Sequence, residues 1–180
     1  MNIRKIHHVA YRCKDAKETV AFYKNVLNMD LVLAIAEDRV PSTKEPDPYM
    51  HVFLDAGQGN VLAFFEIPNS PPIVRDENTP SWVQHIAFEI GDMADLLVAK
   101  AHIEAAGVDV IGPTDHHIFK SIYFFDPNGH RLELCANIDR PGALEKLHAV
   151  APAMIEEWSQ TKRAPKHAAF MHEDEFTLDP

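Results

Sequence analysis

The sequence predicts an α+β protein of two tandem β-α-β-β-β modules followed by a helical tail. Three observations carry this. First, His8-Val9-Ala10-Tyr11-Arg12-Cys13-Lys14-Asp15 returns as His85-Ile86-Ala87-Phe88-Glu89-Ile90-Gly91-Asp92. In both copies a histidine stands two before an alanine and seven before an aspartate, and a repeat of this length reports architecture ahead of any local propensity. Second, the same succession of strand and helix signals follows each copy. Third, each half closes on a hairpin signal, Ala56-Gly57-Gln58-Gly59-Asn60 in one and Pro127-Asn128-Gly129 in the other. Residues 1–68 and 81–137 are the two modules and residues 138–180 the tail, together read as one compact domain.

Ile6 to Cys13 reads as the first strand. Asp15 caps a helix, with Glu18 three residues on in a capping-box pattern. Val20, Phe22, Tyr23, Val26 and Leu27 follow at helical spacing. Asp30 to Ile35 is the next strand, and the polar, proline-containing residues 37–48 read as a loop. Met50 to Leu54 and Val61 to Ile67 form a hairpin. The stretch from Pro68 to Pro80 holds four prolines and reads as the linker. In the second half Val83 to Ile90 is a strand, and Asp92 opens a helix that runs to Ala106 and ends at Gly107. Val108 to Ile111 reads as a short strand. Ser121 to Phe125 and His130 to Ala136 form the closing hairpin. Ala143 to Trp158 reads as an amphipathic helix in which Met154, Ile155 and Trp158 make a docking stripe. Residues from Thr161 onward read as extended or poorly ordered, and His148, His167 and His172 as solvated.

Bulk properties narrow the function classes. A chain of 180 residues with 46% hydrophobic residues is ordinary for a soluble globular protein. No apolar run is long enough to span a bilayer. The N-terminus leads straight into a strand with no secretory signal, and two cysteines without metal-type spacing suit a reducing cytoplasm. A net charge of -10 argues against a nucleic-acid partner, which needs a basic face. The expected partner is a small molecule, with no membrane and no nucleic acid involved.

Two histidines at matching places and one carboxylate suggest a metal site. Glu133 stands in the apolar run Leu132-Glu133-Leu134-Cys135, where an unpaired carboxylate is costly and a cation partner the economical account. A lone strand histidine is more often a hydrogen-bonded core residue. The repeat is what singles out His8 and His85. His7 competes with His8, but His8 keeps the register with the alanine and the aspartate, and neighbours on a strand face opposite sides.

Paired modules of this order, a histidine on the first strand of each, and Asp126-Pro127-Asn128-Gly129 leading to Leu132-Glu133-Leu134 resemble the vicinal oxygen chelate superfamily. It includes glyoxalase I, extradiol ring-cleaving dioxygenases, methylmalonyl-CoA epimerase and fosfomycin-resistance thiol transferases. The resemblance covers residues 5–137 and implies an incomplete barrel with a metal in its cup. By position it implies His8, His85 and Glu133 as ligands. The family's fourth ligand position, Glu or Gln in glyoxalase I and the epimerase, falls here on Ala63, whose methyl binds no metal. Glu66, on the opposite face, is a poor substitute.

Two imidazoles and one carboxylate on one face of a metal suit non-haem Fe(II) working with O2. The resemblance therefore implies an extradiol-dioxygenase-like enzyme acting on a catechol-like, vicinally oxygenated substrate. Tyr123 matches the tyrosine that commonly precedes the glutamate turn in those enzymes. His116, preferred to His117, matches a histidine serving there as an acid–base group. Arg12 matches the glyoxalase arginine that meets substrate carboxylates, and it shares the His8 face. A salt bridge from Arg12 to Glu89 is the alternative. Cys135 shares the Glu133 face but is by default a buried structural thiol. One phenylalanine from each of the pairs 64–65 and 124–125 faces the cup.

Two rival readings stand beside this one. A lyase, epimerase or thiol transferase would use Ni, Zn or Mn as a Lewis acid, and oxygen consumption separates it from the first. A non-catalytic binding module is the other, and metal content separates it from both. Superfamily members are often dimers, so a homodimer is expected.

Overall fold

The structure, a computed structural model, describes residues 1–138 and 140–165. The first module runs β1 (Val9–Cys13), α1 (Ala16–Leu27), β2 (Leu31–Arg39), β3 (Pro46–Asp55) and β4 (Val61–Glu66). The second repeats it as β5 (Ile86–Glu89), α2 (Met93–Ala105), β6 (Ile111–Asp115), β7 (Phe119–Phe125) and β8 (Arg131–Asn137), with α3 (Ala143–Thr161) beyond. Each module folds into a four-stranded sheet, ordered β1-β4-β3-β2 and β5-β8-β7-β6. In each, the first strand runs parallel to the last and the other pairs are antiparallel.

The helices start where the two aspartates stand. Asp92 and Asp95 exchange the reciprocal bonds of a capping box. At α1 only half of the expected box forms: Asp15 accepts from Glu18 N, while the carboxylate on Ala16 N is that of Glu66, 2.7 Å away on β4. Glu66 thus ties the helix to its sheet.

One apolar core joins the modules. Tyr23 and Val26 of α1, Leu96 and Ile103 of α2, Leu54 and Phe64 of the first sheet, and Ile122 and Leu134 of the second belong to a single buried cluster. The opposite faces of both sheets form two open cups. Strand β2 is exposed along all nine residues, among them Leu31, Val32, Leu33 and Ile35.

Some elements differ from their sequence expectation. Hydrogen bonding extends β2 and β3 into the polar stretch read as a loop, leaving residues 40–45 as the connection. The strand placed at Val108–Ile111 begins instead at Ile111, because Val108 and Val110 pack on the core while residues from Ile111 onward pair with β7. Among the described residues the docking stripe of α3 finds no seat: Ile155 and Trp158 are exposed and Ala143 is the helix's buried residue. The expectation of an extended, solvated tail falls mostly outside the described residues, His167 and His172 with it. No described helix is long and apolar enough to cross a membrane.

Gly112 sets the start of β6. Its φ is +108°, and a Cβ there would lie 2.6 Å from the Ser121 carbonyl oxygen. Gly112→Ala is expected to lower stability by about 2–4 kcal/mol, since both the backbone conformation and the β6–β7 approach resist a side chain. Denaturant unfolding measures this, and a loss under about 0.5 kcal/mol, the usual bound for a surface substitution, would show that the turn adapts freely.

Candidate metal centre in the second module

The register of β8 against its neighbours builds the site. Glu133 lies opposite Ala87 of β5 and Tyr123 of β7, and His85 immediately precedes β5. By alternation His85, Ala87, Ser121, Tyr123, Arg131, Glu133 and Cys135 share the cup face.

Glu133 is 2% exposed. One carboxylate oxygen lies 3.0 Å from His85 Nε2, and the other accepts a short hydrogen bond from the Ser121 hydroxyl. Tyr123 Oη and His116 Nε2 share a 2.7 Å hydrogen bond. The rings of His85 and Tyr123 meet edge-on at 6.1 Å. The Arg131 guanidinium lies 4.0 Å over the Tyr123 ring, a cation–π contact that fixes the phenol from above. Burial, and next the charge of Glu133, push the Tyr123 phenol above its ordinary range. The phenol therefore keeps its proton at neutral pH and acts as a donor. A cavity of about 510 Å³ under the linker reaches His85 and Arg131 but is lined by none of Glu133, Tyr123, His116 and Ser121.

Four sequence candidates, His85, Glu133, Tyr123 and His116, thus meet in one cup. His8 does not join them. It contacts His7, His51 and Phe53 in the other cup. Among the described residues no chain-internal group of three His, Cys, Asp or Glu side chains could hold a metal ion. The donor chemistry of the pair nevertheless fits a divalent metal: one imidazole nitrogen and one buried carboxylate, adjacent, with the imidazole side open. The β-register places Ala63 opposite Ala10 as Glu133 lies opposite Ala87, so the first module offers a methyl where the second offers a carboxylate.

Arg12 turns from the cup toward the linker, donating to the carbonyls of Ser70 and Pro71, and Glu89 accepts instead from Asn137. The alternative Arg12–Glu89 pair does not form. Both thiols are structural in character: burial lifts Cys13 to about 11 and pushes Cys135 up. Sequence reasoning missed Ser121, Arg131 and His51. Alternation from Tyr123 and Glu133 points to the first two. His51 has a serine as its counterpart, so the repeat hides it.

Residues 5–134 match the model of the Glyoxalase/Bleomycin resistance protein/Dioxygenase superfamily. The metallothiol transferase FosB of Staphylococcus epidermidis is 29% identical over 136 residues, covering 74% of this chain and 82% of its own. The catechol-2,3-dioxygenase of Bacillus subtilis is 25% identical over 143 residues, covering 78% of this chain but 44% of its own. A mutant of the fosfomycin resistance protein FosX from Listeria monocytogenes, crystallised with Mn(II) and 1S,2S-dihydroxypropylphosphonic acid, has the same fold. Its TM-score is 0.55 at 23% identity, over 76% of this chain and 93% of that one.

Proposed function

The chain belongs to the glyoxalase/bleomycin resistance protein/dioxygenase superfamily, and from that premise we propose that it is a divalent-metal enzyme of the extradiol-dioxygenase type, acting on a catechol-like substrate with O2. The observation that carries this reading is the Tyr123–His116 pair beside His85 and Glu133. A protonated phenol backed by an imidazole is a proton relay suited to a substrate hydroxyl. Tyr123 hydrogen-bonds the substrate oxygen, and His116 accepts or returns the proton. His85 and Glu133 supply two of the ligands, and His8 of a second copy supplies the third when two chains join their cups. The exposed apolar β2 supports this homodimer. Fe(II) bound there provides the redox chemistry with oxygen, and the protein supplies binding, orientation and proton transfer.

A second reading has its own support. FosB is matched over most of its length, whereas the dioxygenase is matched over less than half. On that reading the metal is Mn, Ni or Zn and the reaction is Lewis-acid-assisted addition to a small oxygenated substrate.

The test is metal content and oligomeric state of protein purified anaerobically after Fe(II) supply, followed by oxygen uptake with catechols. About one iron per chain in a dimer, with catechol-dependent oxygen uptake, supports the first reading. Thiol-dependent consumption of fosfomycin with Mn and no oxygen uptake supports the second. A metal-free, inactive protein overturns both.

A further inference from the structure

The linker between the modules roofs the cavity of about 510 Å³, a size usual for small-molecule sites. Side chains hold the roof at both ends. Arg12 donates to the carbonyls of Ser70 and Pro71, and the Asp76 carboxylate accepts from Asn78 N and from the Thr79 hydroxyl in a turn further on. The floor follows from strand register. Ile86 of β5 lies opposite Leu132 of β8, and Arg131 of β8 lies opposite Phe125 of β7. His85, Arg131 and Phe125 therefore form one row across the cup face, and all three line the cavity. The next row along the strands is Ala87, Glu133 and Tyr123.

The charge of the walls is opposite to that of the chain. The chain carries a net charge of -10, yet Lys14, Arg75 and Arg131 line the cavity against one carboxylate, Asp76. Asp76 is engaged in its own turn, and Lys14 Nζ donates to the Pro127 carbonyl. The two arginines are placed differently. The Arg131 guanidinium lies 4.0 Å over the Tyr123 ring and that of Arg75 lies 5.7 Å over the Phe125 ring. Tyr123 and Phe125 stand two residues apart on the same face of β7. Among the described residues neither guanidinium joins an ion pair. A cation–π contact uses the flat face of a guanidinium and leaves its N–H edge free, and that edge is the part that grips a carboxylate or phosphonate. An arginine that merely covers a ring needs no cavity beside it. Two arginines over successive rings, both in the wall of one cavity, converge on a shared ligand.

We infer that this cavity is the anion subsite of the substrate pocket, where Arg75 and Arg131 bind an acidic substituent, a carboxylate or a phosphonate, of a substrate whose oxygens lie at His85 and Glu133. The spacing fits. The two rows are two strand residues apart, about 7 Å, close to the span of a benzene ring with oxygens at one end and an acid group at the other. The cavity reaches His85 and stops short of Glu133, so the acid end occupies the roofed cavity and the oxygen end the open cup. The inference rests on the metal-enzyme reading above and narrows its substrate to a catechol bearing an acid across the ring.

Anaerobic calorimetric titration of the iron-loaded protein with 3,4-dihydroxybenzoate, 3,4-dihydroxyphenylphosphonate and 4-methylcatechol tests this. The three share the catechol and differ in the charge opposite it. Wild type is expected to bind at least one of the two acids at least about tenfold more tightly than the neutral catechol, and the tighter acid identifies the group. In Arg75→Gln and in Arg131→Gln that ratio should fall toward one. The ratio is taken within each variant, so a partial loss of folded protein or of metal acts on both ligands and cancels. Metal content and melting temperature are measured on each protein. A wild-type ratio near one overturns the inference and leaves the catechol reading standing. A ratio that either variant keeps at its wild-type value overturns it as well. A wild type that carries iron and binds none of the three overturns the inference and the catechol assignment together, while the metal assignment stands. A wild type that carries no metal overturns the underlying reading itself.

Discussion

Glu133→Ala is expected to lower metal affinity by about 100-fold or more, since even losing an outer partner of a ligand costs 10–100-fold. The isosteric Glu133→Gln should behave similarly, because an amide supplies no charge. Stability should move differently. In the metal-free protein Glu133 is a buried carboxylate held by His85 Nε2 at 3.0 Å and by the Ser121 hydroxyl. Its imidazole partner is 32% exposed, so water can take the carboxylate's place as its hydrogen-bond partner. Removing the charge therefore strands no second buried ion, which is what makes broken buried pairs expensive. The metal-free Glu133→Gln protein should melt at or above the metal-free wild type. Glu133→Ala adds a cavity cost of about 1–3 kcal/mol. Metal content and melting curves with and without chelator read both effects. If Glu133→Gln melts well below wild type while neither binds metal, the carboxylate is a structural partner of His85 and the metal assignment fails.

The parts of this molecule that repeat were legible in the sequence. The matching His-x-Ala and Asp spacings located both first strands and both helix caps, and overlaying Val61-Leu62-Ala63-Phe64 on Arg131-Leu132-Glu133-Leu134 gave the correspondence of Ala63 with Glu133, which the strand registers bear out. Features that break the repeat were hidden. His51 stands opposite a serine in the internal alignment, so nothing marks it until its burial and its orphaned nitrogen are seen. The strand β6 was misplaced because Val108 and Val110 alternate like a strand while packing on the core. The actual strand holds Gly112 and Pro113, residues of poor strand propensity held there by β7. His8 was singled out by the repeat, yet in the structure it lies with His7, His51 and Phe53 rather than with His85 and Glu133. The docking stripe on α3 and the apolar β2 raise a related point: a sequence shows an apolar face without showing what covers it.

Asn128→Ala is expected to destabilise the protein by about 2–3 kcal/mol, lowering the melting temperature by about 5–10 °C for a domain of this size. The sequence presents Asp126-Pro127-Asn128-Gly129 as a hairpin turn, yet the turn also clasps the other module. Asn128 Oδ1 accepts from Lys14 N at 2.8 Å, and its Nδ2 donates to Thr19 Oγ1 at 3.1 Å and to Asp126 Oδ2 at 3.0 Å. Asp126 in turn accepts from the buried Tyr23 hydroxyl and from the backbone of Asn128 and His130. His130 Nε2 meets the Arg12 carbonyl at 2.7 Å, and Lys14 Nζ donates to the Pro127 carbonyl. Truncating Asn128 leaves the Lys14 N–H without its partner and takes one donor from a buried carboxylate. Each such group costs more unpaired than its bond contributes when made. Asn128→Asp is the sharper variant. It keeps the acceptor for Lys14 but sets a second carboxylate 3.0 Å from Asp126, so it should destabilise more than alanine at neutral pH. Both variants should keep the His85–Glu133 pair and hence the metal affinity per folded chain. The clasp orients β8, and with it Glu133, relative to the first module, so catalytic turnover should fall more than metal binding. Alanine and aspartate variants that melt within about 1–2 °C of wild type would mean that water replaces these bonds at no cost, and that the shared core alone holds the modules together.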